Sequence, residues 1–272
     1  MKEKILILVK TYPTPSKSYV ETVCTAGVKE DGSWVCIFPV PYRSNYEKYK
    51  EMKKYRWVTC NLYKSEKDSR PESYHLDGFD FEFKEMLSSK NAWEARRRAI
   101  LKKVKIFTRK KDLLLAAKKN MATLAVFKPT HVEIVCRKAK NYDNAIKKSA
   151  KYIQGDLFIS NEWNTDFKYA EPLPYEFQYR VTDDAGNIAV YKILDWEIGA
   201  LFRKEKERLG SNEKARDAVK SKYESFLDTE RYELYLYLGT LLQFQRKRVA
   251  NPWTIVGVAP FPRQSQGEFD FG

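Results

Sequence analysis

Asp80, Glu82 and Lys84 fall at every second position of the string Phe79-Asp80-Phe81-Glu82-Phe83-Lys84. On an extended chain, residues two apart share a face, so the three polar groups align while the phenylalanines turn toward a core. Carboxylates aligned in this way can hold Mg²⁺. A lysine beside them can assist the attacking water or the developing charge of phosphodiester hydrolysis. Asp68 or Asp77 would add the upstream carboxylate that such a site needs. The competing expectation is a solvated strand face, because so short a spacing recurs without any catalytic context.

A second chemistry is polyanion binding. Ten basic residues stand between Lys90 and Lys111: Lys90, Arg96, Arg97, Arg98, Lys102, Lys103, Lys105, Arg109, Lys110 and Lys111. They face one acid, Glu94. A helix over residues 91–105 would gather Trp93, Ile100, Leu101 and Val104 into an apolar stripe and project Arg98, Lys102 and Lys105 from the other side. Arg96 and Lys103 flank that stripe, and Arg97 falls inside it, where it would snorkel from the core edge. Most charge runs are solvated faces, but such faces interleave acids, and this one does not. Near the N-terminus Lys10, Arg43 and Arg70 stand among Thr11, Ser16, Lys17, Tyr19, Glu21 and Trp34. That mixture suits phosphate holding and base stacking, or simply a sheet with its turns.

The last nine residues, Gln264 to Gly272, follow a break at Pro260 and Pro262 and are expected to form a free tail. Gln266, Phe269 and Phe271 give it a glutamine and two apolar anchors two residues apart, the form of a hexapeptide that bacterial sliding clamps bind. The plainer expectation is a tail whose phenylalanines pack on its own body.

Other chemistries lack their parts. His75 and His131 are the only histidines, and Cys24, Cys36, Cys60 and Cys136 include no Cys-x-x-Cys pair, so a zinc cluster is not expected, and no metal site is assigned apart from the Mg²⁺ alternative above. No nucleophile elbow or P-loop string is present. The cysteines sit in strand-like apolar stretches and read as reduced, buried thiols in a cytoplasmic protein. The N-terminus lacks the form of a secretory signal, and the longest apolar runs fall far short of a membrane span. The chain has 50 Lys+Arg against 36 Asp+Glu, a net charge of +14, with 43% hydrophobic and 14% aromatic residues. It is too apolar to be disordered, and its charge excess draws polyanions.

These groups need elements to hold them. Residues 4–10, 19–28, 33–40, 56–64 and 79–83 read as strands, with Asp31-Gly32 marking a hairpin, and residues 45–54 read as a surface helix. Helices are expected over 91–105, 109–120 and 143–154, with strands at 123–127 and 131–137 between them. A hairpin at 175–194 is followed by a helix capped by Asp195, a second helix from Ser211, and strands at 232–238 and 253–261. This order gives an α+β fold with mostly antiparallel pairing. It divides as a β-rich lobe over 1–88, a basic helical segment over 89–168, and an α+β lobe over 169–272 with a tail from about 262.

The strings ILVKTYPTPSKSYVETVCTAGV, WVCIFPVPYR, RPES, PYEFQYRVTDDAG, ILDWEIGAL, LYLYLGT and NPWTIVGV cover most of the chain. Together they resemble an uncharacterised family of small prokaryotic proteins. The resemblance implies a bacterial or phage-like setting, mobile or defence-related, and no catalytic residue. The sequence departs from that pattern at Cys36, where an arginine is expected. Separately, Glu82-Phe83-Lys84 is similar to the E-x-K half of the PD-(D/E)xK nuclease site, without the preceding Pro-Asp. The leading expectation is a nucleic-acid-binding protein, DNA before RNA, acting as a non-catalytic part of a larger prokaryotic complex and needing no cofactor or membrane. A nuclease using Mg²⁺ with Asp80, Glu82 and Lys84 is the alternative, and a protein–protein adaptor the third.

Overall fold

The apolar run near the N-terminus becomes a strand, β1 (Lys2–Lys10), covered on both faces. Ile5 and Ile7 enter one core, while Leu6, Leu8 and Val9 enter another. A strand with no solvated face reads as unbroken hydrophobes rather than as alternation. The computed structural model describes residues 1–40, 46–159 and 170–263.

Six further strands and one helix follow in the first third. They are β2 (Thr14–Ser16), β3 (Val20–Val28), β4 (Trp34–Val40), α1 (Tyr46–Glu51), β5 (Arg56–Lys64), β6 (Ser73–Leu76) and β7 (Glu82–Met86). β1 lies antiparallel between β3 and β5; β3 pairs with β4, β4 runs parallel to β6, and β6 returns to β5. The five strands thus close a ring, which leaves no sheet edge among them. Gly27 permits a close approach of β3 to β1, since a Cβ there would stand 2.1 Å from the Leu6 carbonyl oxygen.

Two expectations are corrected here. The helix expected over 45–54 forms as α1 with Glu47, Lys48 and Lys50 exposed, but it is not confined to the surface: Tyr49, and Met52 in the turn after it, are buried in the ring's core, and Tyr49 Oη shares a hydrogen bond of 3.0 Å with Thr25 Oγ1. One anchor on a short helix and one in the turn after it leave no periodic stripe to read. The phenylalanine strand begins later than expected, at Glu82, so Asp80 lies before it; Phe79, Phe81 and Phe83 are half-buried and stack in series.

The rest of the chain contributes α2 (Lys90–Ala99), β8 (Ile106–Phe107), α3 (Lys110–Lys118), β9 (Leu124–Phe127), β10 (His131–Lys138) and α4 (Tyr142–Ile159). Then come β11 (Tyr175–Thr182), β12 (Ile188–Lys192), α5 (Trp196–Leu209), α6 (Asn212–Glu224), β13 (Tyr232–Thr240), α7 (Leu242–Arg246) and β14 (Trp253–Pro262). Strands β10, β11 and β12 form one antiparallel sheet, and β14, β13, β9 and β8 another. Parallel pairing among the named strands is confined to β4–β6 and β8–β9, so the fold is α+β. Asp195 caps α5 by accepting from the Glu197 backbone N–H, and Ser211 caps α6 through Lys214, as their residue types require.

The ring packs against the four-stranded sheet through its outer residues. Leu6, Leu8 and Val28 meet Val126, Tyr237 and Phe261, with Ile100 and Val104 filling the seam. The expected helix over 91–105 is broken. Asn91, Ala92 and Trp93 adopt left-handed backbone (φ 49°, 48° and 61°), helical conformation is kept from Glu94 to Ala99, and turns follow. The indole of Trp93 holds this bend, packed edge-on against Tyr55 at 5.5 Å and Phe261 at 5.4 Å. No helix among the described residues is long and apolar enough to cross a membrane.

Candidate nucleic-acid interface

The expected basic contacts separate once the chain is folded. Arg70 is buried, not displayed. Its Nε donates to Asp68 Oδ1 at 2.9 Å, its Nη2 to Asp68 Oδ2 at 2.6 Å, and its Nη1 to the Thr240 carbonyl at 2.7 Å. It latches the loop between β5 and β6 onto the end of β13, and that corrects its assignment to the polyanion surface. Lys10 is half-buried and donates to the Tyr49 carbonyl at 3.2 Å, with its ammonium 3.8 Å from the Tyr49 ring centre. Burial, joined by the charge of Lys54, lowers it to about 8. Arg43 lies outside the described residues, as do Gln266, Phe269 and Phe271.

The basic block divides in the same way. Arg97 turns inward to Glu233 at 2.9 Å and the Pro262 carbonyl at 2.8 Å, the snorkel expected of a cation inside an apolar stripe. Arg96 stacks on Tyr55 and Trp93, at 4.0 and 4.4 Å from the ring centres. Arg98 pairs with Glu94, Arg109 with Asp184, Lys103 donates to the Glu30 carbonyl, and Lys110 to that of Ile188. Because helical conformation ends at Ala99, Lys102 and Lys105 do not continue the face of Arg98; Lys105 instead lies over Phe107. Lys111 is exposed and starts a different face, on α3.

The acidic string is also spent locally. Glu82 pairs with Lys2 and with Lys84, the latter at 2.9 Å, and these two partners hold it down to about 2. Asp68, a proposed upstream carboxylate, is fixed to Arg70. Among the described residues, no three His, Cys, Asp or Glu side chains stand together as a metal site would need.

The structure gathers a different set of cations. A cleft of about 760 Å³ opens between the β5–β6 loop, the end of α3 and the turn around α7. Lys67, Lys118, Arg246 and Arg248 line it, and no carboxylate does. None of the four is in a salt bridge with a described residue. Leu114, Leu242 and Phe244 supply apolar walls, and Asn120 and Gln245 supply amides. Arg246 Nη2 donates to the Lys67 carbonyl at 3.1 Å and Asn120 Nδ2 to that of Ser69 at 2.9 Å, so the cleft's two sides are tied. On α3, Leu113, Ala116 and Ala117 are buried, while Lys111, Leu115 and Lys118 share the exposed face and lead into the cleft.

Residues 108–271 match a family described as a domain of unknown function, DUF8757, which takes in more than half of the chain. The chain belongs to the DUF8757 family. Residues 1–102 match a second domain of unknown function, DUF8758, and no curated protein matches the chain. The two matches divide at the turn after α2, so the cleft is shared. Lys67 comes from the DUF8758 part, and Lys118, Arg246 and Arg248 from the DUF8757 part.

The cleft was open to detection only in fragments. Gln245-Arg246-Lys247-Arg248 and Lys118-Lys119 are visible basic runs in the DUF8757 part, but each is shorter than the block at 90–111. Nothing in the spacing of Lys67 links it to them.

Proposed function

We propose that this protein binds nucleic acid as a non-catalytic component of a larger prokaryotic assembly in the cytoplasm, and that the cleft receives an unpaired nucleotide. The observation that carries this reading is the convergence of Lys67, Lys118, Arg246 and Arg248 on a cleft without a carboxylate. A cation cluster of this kind neutralises phosphates and releases their counterions. Phe244 offers a face for a base, and Asn120 and Gln245 offer donors and acceptors to its edge, the combination that single-strand binders use. The exposed face of α3 extends the basic track beyond the cleft, so a strand can enter along Lys111 and Lys118.

Fluorescence anisotropy with labelled single-stranded and duplex oligonucleotides tests this. Single strands should bind more tightly than duplex. Phe244→Ala should weaken them about 5-fold or more, given that stacking contributes ~1–3 kcal/mol per base. A chain carrying Arg246→Ala and Arg248→Ala that binds as the parent does overturns the proposal.

A further inference from the structure

We propose that Cys24 and Cys36 form a peroxide-sensitive dithiol that closes to an intramolecular disulfide. The two residues lie on neighbouring antiparallel strands, β3 and β4, with their Sγ atoms 3.3 Å apart. Ala26 is the residue directly opposite Cys36, so Cys24 reaches it diagonally, beside the register shift between Val23 and Thr25. A disulfide needs the sulfurs at about 2.0 Å, so closing the bond draws the two sulfurs together from this contact. All four cysteines are free thiols, and Cys24 and Cys36 are the two in contact.

The surroundings suit thiolate chemistry. The backbone N–H of Cys36 donates to the Glu72 carbonyl at 2.7 Å, which ties this strand to the loop carrying Arg70. The hydrogen bond from Cys24 holds Cys36 below the ordinary thiol value; burial opposes it and the Arg70 charge assists. The same hydrogen bond and burial push Cys24 up. Either sulfur can donate across their contact, so a proton can pass between them, and Cys24 is the more exposed of the pair.

The oxidant is hydrogen peroxide. Cys36 first loses its proton to solvent and takes up that of Cys24; the Cys24 thiolate then attacks one peroxide oxygen and breaks the O–O bond. This leaves a sulfenic acid on Cys24 and hydroxide, which takes up a proton to become water. Cys36 then attacks the sulfenic sulfur, gives up its proton and expels hydroxide as a second water. In sum, two thiols and one hydrogen peroxide give one disulfide and two waters.

Peptide mapping of the full chain tests the proposal. Trypsin cuts after Lys29, between the two cysteines, so a disulfide appears as two peptides joined to each other. After brief exposure to hydrogen peroxide and quenching with an alkylating reagent, the joined peptides should accumulate while Cys60 and Cys136 stay alkylated. Dithiothreitol should separate them. Cys24→Ser and Cys36→Ser should each abolish the link and leave the remaining thiol to oxidise onward to sulfinic acid. The proposal fails if the parent chain carries separate sulfinic acids at Cys24 and Cys36, or if the link forms no faster than Cys60 and Cys136 are lost. Both readings come from the parent chain, so they stand even where a serine variant does not fold.

Discussion

Replacing Arg70 by alanine separates a structural cation from a binding one. Both partners of the Asp68–Arg70 pair are only 9% exposed, and the guanidinium also holds the Thr240 carbonyl. Breaking a buried pair by removing one partner costs roughly 3–5 kcal/mol, because a charge is left without its counterion. Asp68 would keep the Ser73 hydroxyl at 2.7 Å and the backbone N–H of residue 70 at 3.1 Å, which places the cost near the lower limit, about 3 kcal/mol. For a chain of this size each kcal/mol moves Tm by ~2–4 °C, so Arg70→Ala should melt about 6–12 °C below the parent. Arg70→Lys, which keeps the charge but loses the fork, should fall between them. Thermal denaturation followed by circular dichroism gives the shift, and oligonucleotide binding measured well below Tm should be close to that of the parent. An unchanged Tm with lost binding would return Arg70 to the polyanion surface and refute the latch.

Four other outcomes are expected. If the four cleft cations each neutralise one phosphate of a single strand, log Kobs should fall against log salt with a slope of about −2.8, reduced to about −1.4 by Arg246→Ala with Arg248→Ala. Burial raises Glu233, but hydrogen bonds from Arg97 and Lys128 outweigh it and hold the carboxyl at about 2. A depressed carboxylate stabilises above its unfolded value of ~4.3 and loses that contribution as pH falls through its folded value, so Glu233→Gln should flatten the decline in Tm between those limits. Lys10 has the same sign of dependence in a different window: at about 8 the folded chain gives up a proton that the unfolded chain keeps until ~10.4. Stability should therefore rise with pH across that interval, and Lys10→Met should remove the rise in a pH series of melts. Finally, the chain should bind a bacterial sliding clamp through Gln266, Phe269 and Phe271 at about micromolar affinity; equal binding by a Phe269→Ala, Phe271→Ala chain in calorimetry would contradict this.

Elements with a strong local cause were readable in the sequence, and those with a distant cause were not. The Asp31-Gly32 turn, the Asp195 cap, the hairpin of β11 and β12 and the antiparallel character of the fold follow from residue types and period. The ring was hidden because its closure depends on β6, four residues long, and on the plug made by Tyr49 and Met52. The break in α2 was hidden because Trp93 is drawn away by Tyr55 and Phe261, which lie far from it in sequence. Of the candidate site, the fate of Arg97 was legible, since a cation within an apolar stripe must reach out past it. The fate of Arg70 was not, because Thr240 stands 170 positions away.

Density of charge along a chain and density on a surface are different quantities, and this fold shows how they part. The ten basic residues of the 90–111 block pass through a left-handed bend, a short helix, a turn and a two-residue strand, so their side chains diverge and several end on carbonyls or acids nearby. The cleft collects fewer cations, but from three segments that only the tertiary structure brings together. That assembly rests on the buried latch. Lys67 belongs to the loop held by Asp68 and Arg70, and its carbonyl receives Arg246 from the other side. The buried cation and the exposed ones therefore have separate tasks. Arg70 fixes where the loop stands, and the cations at the cleft's rim supply the charge that a phosphate chain would meet. Removing a rim cation should change affinity and its salt dependence while leaving the fold alone. Removing the latch should loosen the fold first, and alter binding only to the extent that Lys67 drifts from Arg246 and Arg248.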